Sequence, residues 1–130
     1  MPVKEYIAYK GSCFTIEWYY DESGHSQPFE YLMNLSSDMQ KKVFYLLKRM
    51  GDIGKINDIT KFRNEGDHIY AFMPQPDRFL SFFVKDKVII ITNAFRKKSD
   101  KLPINEKLKA LHSKEDYFKR ISEGKYYEKD

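Results

Sequence analysis

The sequence predicts an α+β fold, a small antiparallel β-sheet packed against two N-terminal helices and one C-terminal helix. Three patterns carry this expectation. Phe14, Ile16, Trp18 and Tyr20 alternate with Thr15, Glu17 and Tyr19, the period of a half-buried strand. Met39, Val43, Leu46, Leu47 and Met50 recur at the spacing of an amphipathic helix. Residues 78–84 and 87–95 are two apolar, β-branched and aromatic runs around a short polar turn, the pattern of a buried hairpin.

The elements follow in order. Tyr6 to Tyr9 is a candidate strand closed by Gly11, and the alternating run from Phe14 ends in the turn residues Asp21-Glu-Ser-Gly24. Ser26-Gln-Pro28 starts a first helix with proline in its first turn, and Phe29, Leu32 and Met33 form its short apolar stripe. Ser37 with Gln40 fits a capping box for the second helix, which Gly51 and Gly54 stop. Residues 55–68 are polar. Ile69 to Met73 resumes as a strand, broken by Pro74-Gln-Pro76-Asp77 before the hairpin. Pro103 opens the last helix, with Ile104, Leu108, Leu111, Phe118 and Ile121 on one face and Gly124 as its stop.

At 130 residues and 42% hydrophobic, the chain suffices for one domain, residues 1–130, with a real core. Residues 1–13 are expected to be an N-terminal extension and 125–130 a flexible tail. Cys13 is the sole cysteine, which excludes an intrachain disulfide and points to a reducing, cytoplasmic setting. No apolar leader opens the chain, and its longest wholly apolar run, Val88 to Ile91, is far too short to span a bilayer. The net charge of +4 permits a polyanionic partner without requiring one, so the position of the cations carries the argument.

No metal signature, phosphate-binding glycine loop or nucleophile elbow occurs, and His25, His68 and His112 are scattered. No cofactor or metal is expected. A cationic set remains: Lys61, Arg63, Arg78, Arg96, Lys97, Lys98 and Lys101. Any one of these alone reads as a solvated loop end. Antiparallel pairing of the hairpin, however, carries Arg78 towards the segment Asn93 to Lys98. Lys61 and Arg63 join them only if their loop folds back. Cations at one end of a rigid sheet suit a phosphodiester backbone. Cleavage of RNA needs no metal when the ribose 2′-OH is the nucleophile. A guanidinium then suits the pentavalent phosphorus, and a lysine crowded by other cations suits proton transfer, with Lys97 or Lys98 the candidate.

Three runs, Lys61-Phe-Arg-Asn-Glu-Gly-Asp-His-Ile-Tyr70, Asp77-Arg-Phe-Leu-Ser-Phe-Phe83 and Ile91-Thr-Asn-Ala-Phe-Arg-Lys-Lys-Ser-Asp-Lys-Leu-Pro103, resemble the RelE/HigB superfamily of bacterial toxins, in its HigB-like, phage-derived branch. The likeness spans most of residues 14–120. It implies a RelE-like fold and a toxin of a type II toxin–antitoxin system that cuts mRNA on the ribosome, leaving a 2′,3′-cyclic phosphate. Arg78 matches the family's phosphate-binding arginine, Asn93 a His or Asn position, and Lys97 and Lys98 its lysine pair. These four are the expected catalytic residues; Lys61, Arg63, Arg96 and Lys101 are left to bind RNA. Met73 stands where the branch often has a basic residue, and Ala94 replaces the usual glycine. The implied partners are a helix-turn-helix antitoxin, the ribosome and mRNA, with operator DNA reached only through the antitoxin and no membrane. Two alternatives stay open: a ParE-like inhibitor of DNA gyrase on the same fold, and a non-catalytic antitoxin-binding partner.

Overall fold

A computed structural model describes residues 6–127. Strands β1 (Ile7–Lys10) and β2 (Thr15–Trp18) come first, followed by helices α1 (Gln27–Met33) and α2 (Ser37–Ile53). Strands β3 (Phe62–Asn64), β4 (Tyr70–Phe72), β5 (Asp77–Val84) and β6 (Val88–Arg96) lead to the final helix, α3 (Ile104–Ser122). The six strands form one mixed sheet in the order β1-β2-β6-β5-β4-β3. Strand β2 pairs in parallel with β6, Thr15 against Val88 and Trp18 against Ile91, and every other pair is antiparallel.

This corrects the expected architecture. The sheet is neither small nor wholly antiparallel, and the two strands read ahead of the first helix belong to it, so the first two helices are not N-terminal. Alternation marks a strand but not its neighbour. The partner of β2 lies far along the chain, so no local pattern reveals the parallel pairing. Strand β3 is three residues long within the polar stretch read as loop, and its edge position lets polar side chains face water.

Successive residues of the central strands point to opposite faces, which creates two cores. Ile16, Trp18, Phe79, Ile89 and Ile91 meet Leu32 of α1 and Val43, Leu46, Leu47 and Met50 of α2 on one face. Ala71, Met73, Leu80, Phe82 and Ile90 meet Ala110 and Tyr117 of α3 on the other. Met73, at the position expected to be basic in the branch, is therefore core and only 1% exposed. Both large helices begin or end on chemistry that suits them. Ser36 rather than Ser37 caps α2, its Oγ accepting from the Met39 N–H at 3.2 Å, while Gln40 Nε2 donates back to the carbonyls of Leu32 and Leu35. At the other end, the N–H groups of Cys13 and Phe14 donate to the Gly51 carbonyl at 2.7 and 2.9 Å. A Cβ on Gly11 would sit 2.2 Å from the Gly51 carbonyl carbon, so the β1–β2 turn lies directly against the end of α2.

Helix α3 turns only part of its expected face inward: Leu111 packs on the second core and Phe118 touches Phe82 at its margin. Its buried residues are Ala110, Tyr117 and Arg120, whereas Ile104, Leu108, Phe118 and Ile121 are 70, 46, 42 and 38% exposed. Both stripes recur at helical spacing, and hydropathy favours the wrong one because the inward side carries polar residues bonded to the sheet. Arg120 donates to the Asp116 carboxylate and to the Tyr20 carbonyl, and stacks over Tyr126. The expected flexible tail is corrected for Tyr126 and Tyr127; residues 128–130 lie outside the described residues. Tyr126 is 3% exposed and its hydroxyl accepts from the Tyr20 N–H. Tyr127 donates to the Glu17 carboxylate at 2.8 Å. The expected extension likewise contains β1, residues 1–5 of it lying outside the described part. Among the described residues no helix is long and apolar enough to cross a membrane.

Candidate active site

Strand β5 begins at Asp77, so Arg78 enters the sheet as its second residue, opposite Phe95 of β6 and on the α3 face. It is 5% exposed. Its guanidinium donates to Gln75 Oε1 at 3.3 Å and to the Asp77 carbonyl at 3.4 Å. Both bonds are long for a buried cation. Among the described residues no carboxylate reaches ion-pair distance of it. Burial, and then the nearby charge of Arg63, hold the Arg78 guanidinium below its ordinary pKa.

Arg63 arrives from the sheet edge. Strand β3 runs antiparallel to β4 with Arg63 opposite Ala71, which places its side chain on the same face as Arg78. Its nitrogens donate to both oxygens of Glu65 at 3.2 Å and to the Asp100 carbonyl at 3.3 Å. Lys97 continues β6: its N–H donates to the Pro76 carbonyl at 2.9 Å, and its ammonium pairs with Asp100 at 2.5 Å. Asp100 lies below the usual carboxylate range, first through its bond to Lys97 and also through the charges of Arg78 and Arg63. Lys107 of α3 closes the cluster, donating to the Glu65 carbonyl at 3.1 Å and pairing with Asp67 at 2.9 Å.

The structure therefore brings Arg63, Arg78 and Lys97 together around Asp100, as the loop before β4 does fold back. It disperses the other expected residues. Asn93 is 3% exposed, and its amide is spent on the fold: Nδ2 donates to the carbonyl and carboxylate of Glu106 at 3.1 Å, and Oδ1 accepts from Thr92. Arg96 sits opposite Asp77 on the other face, near Tyr31, whose hydroxyl donates to Asp77. Lys61 lines a groove against α2. Lys98 and Lys101 are exposed in the loop before α3. Ala94, in place of the usual glycine, is clamped by Gln27, whose side chain donates to its carbonyl at 2.8 Å and accepts from its N–H at 2.7 Å. That clamp extends the edge of β6 beyond the end of β2 and holds the backbone leading to Lys97.

Sequence reasoning missed Glu65, Asp100 and Lys107. The i,i+3 spacing of Lys97 and Asp100 was a readable sign of their pairing, whereas nothing local joins Glu65 to Lys107. Among the described residues, no three His, Cys, Asp or Glu side chains are placed to hold a metal ion. Chemically, the cluster offers a desolvated guanidinium, a second one at the rim, two ammonium groups and three carboxylates. That set binds an oxyanion and moves protons beside it.

A model of the family described as Phage derived protein Gp49-like (DUF891) matches residues 30–115. The match contains Arg63, Arg78, Lys97, Asp100 and Lys107 and leaves β1, β2 and the tyrosines at 126 and 127 outside it. No curated protein matches the chain.

Proposed function

The chain belongs to this Gp49-like phage-derived family, a toxin-like one, and from that premise we propose that it is a HigB-like member of the RelE/HigB toxins that cleaves mRNA on the ribosome. The observation that carries the reading is Arg78: a nearly buried cation beside a second arginine, which no carboxylate among the described residues reaches at ion-pair distance, Glu65, Asp100 and Asp77 acting on it only from further off. A fold does not ordinarily bury a guanidinium unpaired, because the desolvation goes uncompensated. A phosphodiester supplies the missing charge.

In this reading Arg78 receives the non-bridging oxygens of the scissile phosphate from inside the sheet and Arg63 from its edge. The 2′-oxygen attacks phosphorus, and its proton passes to a carboxylate of the cluster, Asp100 or Glu65. The P–O5′ bond breaks, and the Lys97 ammonium, delivered by Asp100, protonates the departing oxygen. The products are a 2′,3′-cyclic phosphate and a 5′-hydroxyl. Charge on the pentavalent phosphorus exceeds that of the ground state, so a fixed guanidinium there is worth about 3 kcal/mol. Asn93 positions α3 and is given no chemical step. The toxin acts in the cytoplasm, and its partner is a helix-turn-helix antitoxin. The exposed apolar stripe of α3 supports a protein partner of this kind.

The test is inducible expression with transcript mapping. Wild-type protein is expected to arrest translation and to cut translated messages only. Arg78→Ala, and Lys97→Ala combined with Lys98→Ala, are expected to relieve the arrest. DNA breakage without transcript cleavage, or full toxicity in both variants, would overturn the reading.

A further inference from the structure

Helix α2 and the turn between β4 and β5 enclose a groove of about 730 Å³ on the side of the molecule away from α3. Its wall on α2 is a stripe one turn apart, Lys41, Tyr45 and Arg49, with Lys42 beside it. Lys61 faces them from the sheet edge, and Ile56 and Pro74 supply an apolar floor. The one acidic lining residue, Asp58, is committed to the backbone and hydroxyl of Thr60, at 2.9 and 2.6 Å. Among the described residues none of the four cations forms an ion pair. Tyr45 is 64% exposed between two cations of its own helix.

One side chain joins this groove to the candidate active site. Gln75 lines the groove, donates to the Thr60 carbonyl at 3.3 Å, and accepts from Arg78 at 3.3 Å. A ligand lying in the groove therefore ends within one side chain of the Arg78 guanidinium.

The geometry points to a binding site for single-stranded RNA in this groove, with one unstacked base on Tyr45 and the adjoining phosphates on Lys41, Arg49 and Lys61. This rests on the endonuclease reading, to which it adds the path of the substrate strand beside the scissile phosphate. An aromatic face flanked by cations is the arrangement that holds a base and its phosphates without choosing a sequence. A duplex keeps its bases stacked and presents none to Tyr45. An acidic peptide would use the cations and leave the tyrosine idle.

The full-length protein is titrated with a fluorescent, uncleavable 2′-O-methyl RNA single strand, and with the matching duplex. Tyr45→Ala is expected to weaken single-strand binding roughly tenfold, Tyr45→Phe to restore it, and Lys41→Gln with Arg49→Gln to weaken it and flatten its salt dependence. These side chains are exposed on α2, so melting temperatures serve as the folding control. Unchanged affinity in Tyr45→Ala and in the charge variant, or preference for the duplex, would overturn the site. A photo-crosslinker at position 45 on programmed ribosomes separates the two sources of RNA: crosslinks to the message beside the cut support the assignment, and crosslinks to ribosomal RNA alone overturn it. Message cleavage indifferent to Tyr45 and Arg49 would sink the groove and leave the nuclease. Tyr45-dependent binding without any cleavage would support the groove and sink the nuclease.

Discussion

Replacing Arg78 with methionine separates a residue kept for chemistry from one kept for the fold. The variant loses two hydrogen bonds, at 3.3 and 3.4 Å, both near the limit of useful length. Together they contribute no more than about 1 kcal/mol. Against that, it removes a cation that is 5% exposed, without an ion pair among the described residues and next to Arg63, and methionine keeps most of the apolar stem. Replacing even a buried ion pair with apolar side chains is often neutral or stabilising by about 1–4 kcal/mol, and a buried cation that lacks such a pair is no better compensated. The balance is a gain of roughly 1 kcal/mol, or about 4 °C in melting temperature for a domain of this size. Toxicity should fall on the order of 100-fold or more. Calorimetry and an induced-growth assay on the same variant read both quantities. A fall of several degrees would refute the reasoning, because Arg78 would then be a keystone of the sheet whose loss of toxicity reports unfolding.

Asn93→Ala should show the opposite signature: a loss of about 2–3 kcal/mol from three hydrogen bonds, one buried and two part-buried, with cleavage per folded molecule retained within a few-fold. Denaturant melts beside a cleavage assay at low temperature check it. Gly11→Ala should cost about 3 kcal/mol, because its Cβ would fall 2.2 Å from the Gly51 backbone and push α2 off the β1–β2 turn; chemical denaturation measures this. Glu17 is buried, which raises its carboxyl pKa although its bond from Tyr127 opposes the shift. A raised carboxyl binds its proton more tightly in the folded state, so its stabilising contribution is complete below the unfolded value and is lost as pH rises through the folded one. Glu17→Gln should therefore melt higher than wild type at pH 7.5, with the advantage shrinking as pH falls towards 4.5. A pH series of thermal melts reads the sign.

How much of this was legible depends on whether the signal was local. Helix α2 buries one face and strands β2, β5 and β6 bury residues on both, so the helical period and the apolar runs stood out. The sheet order did not, because pairing of β2 with β6 is a long-range choice. The outward stripe of α3 misled hydropathy: Ile104 and Leu108 are exposed, while Arg120 is buried because Asp116 and the Tyr20 carbonyl satisfy it. At the candidate site, Arg78 and Lys97 were legible from the hairpin. Arg63 needed the loop geometry that only the structure supplies. The bonds of Asn93 to Glu106 were not legible, because a buried amide that braces a helix and one that meets a substrate are identical in sequence.

The parallel pairing of β2 with β6 has a consequence for the chain as it is made. Thr15 finds its partner only when Val88 has emerged, and α3 can cover the second face only later still. Contacts between such distant segments close late, after a large entropic outlay. Arg78 is synthesised before the strand that shelters it, and Lys97 and Lys107 after. A chain that ends before residue 107 thus lacks part of the cluster, which is complete only in the nearly finished molecule. For a toxin-like protein this order of synthesis leaves the cluster incomplete until α3 has been made.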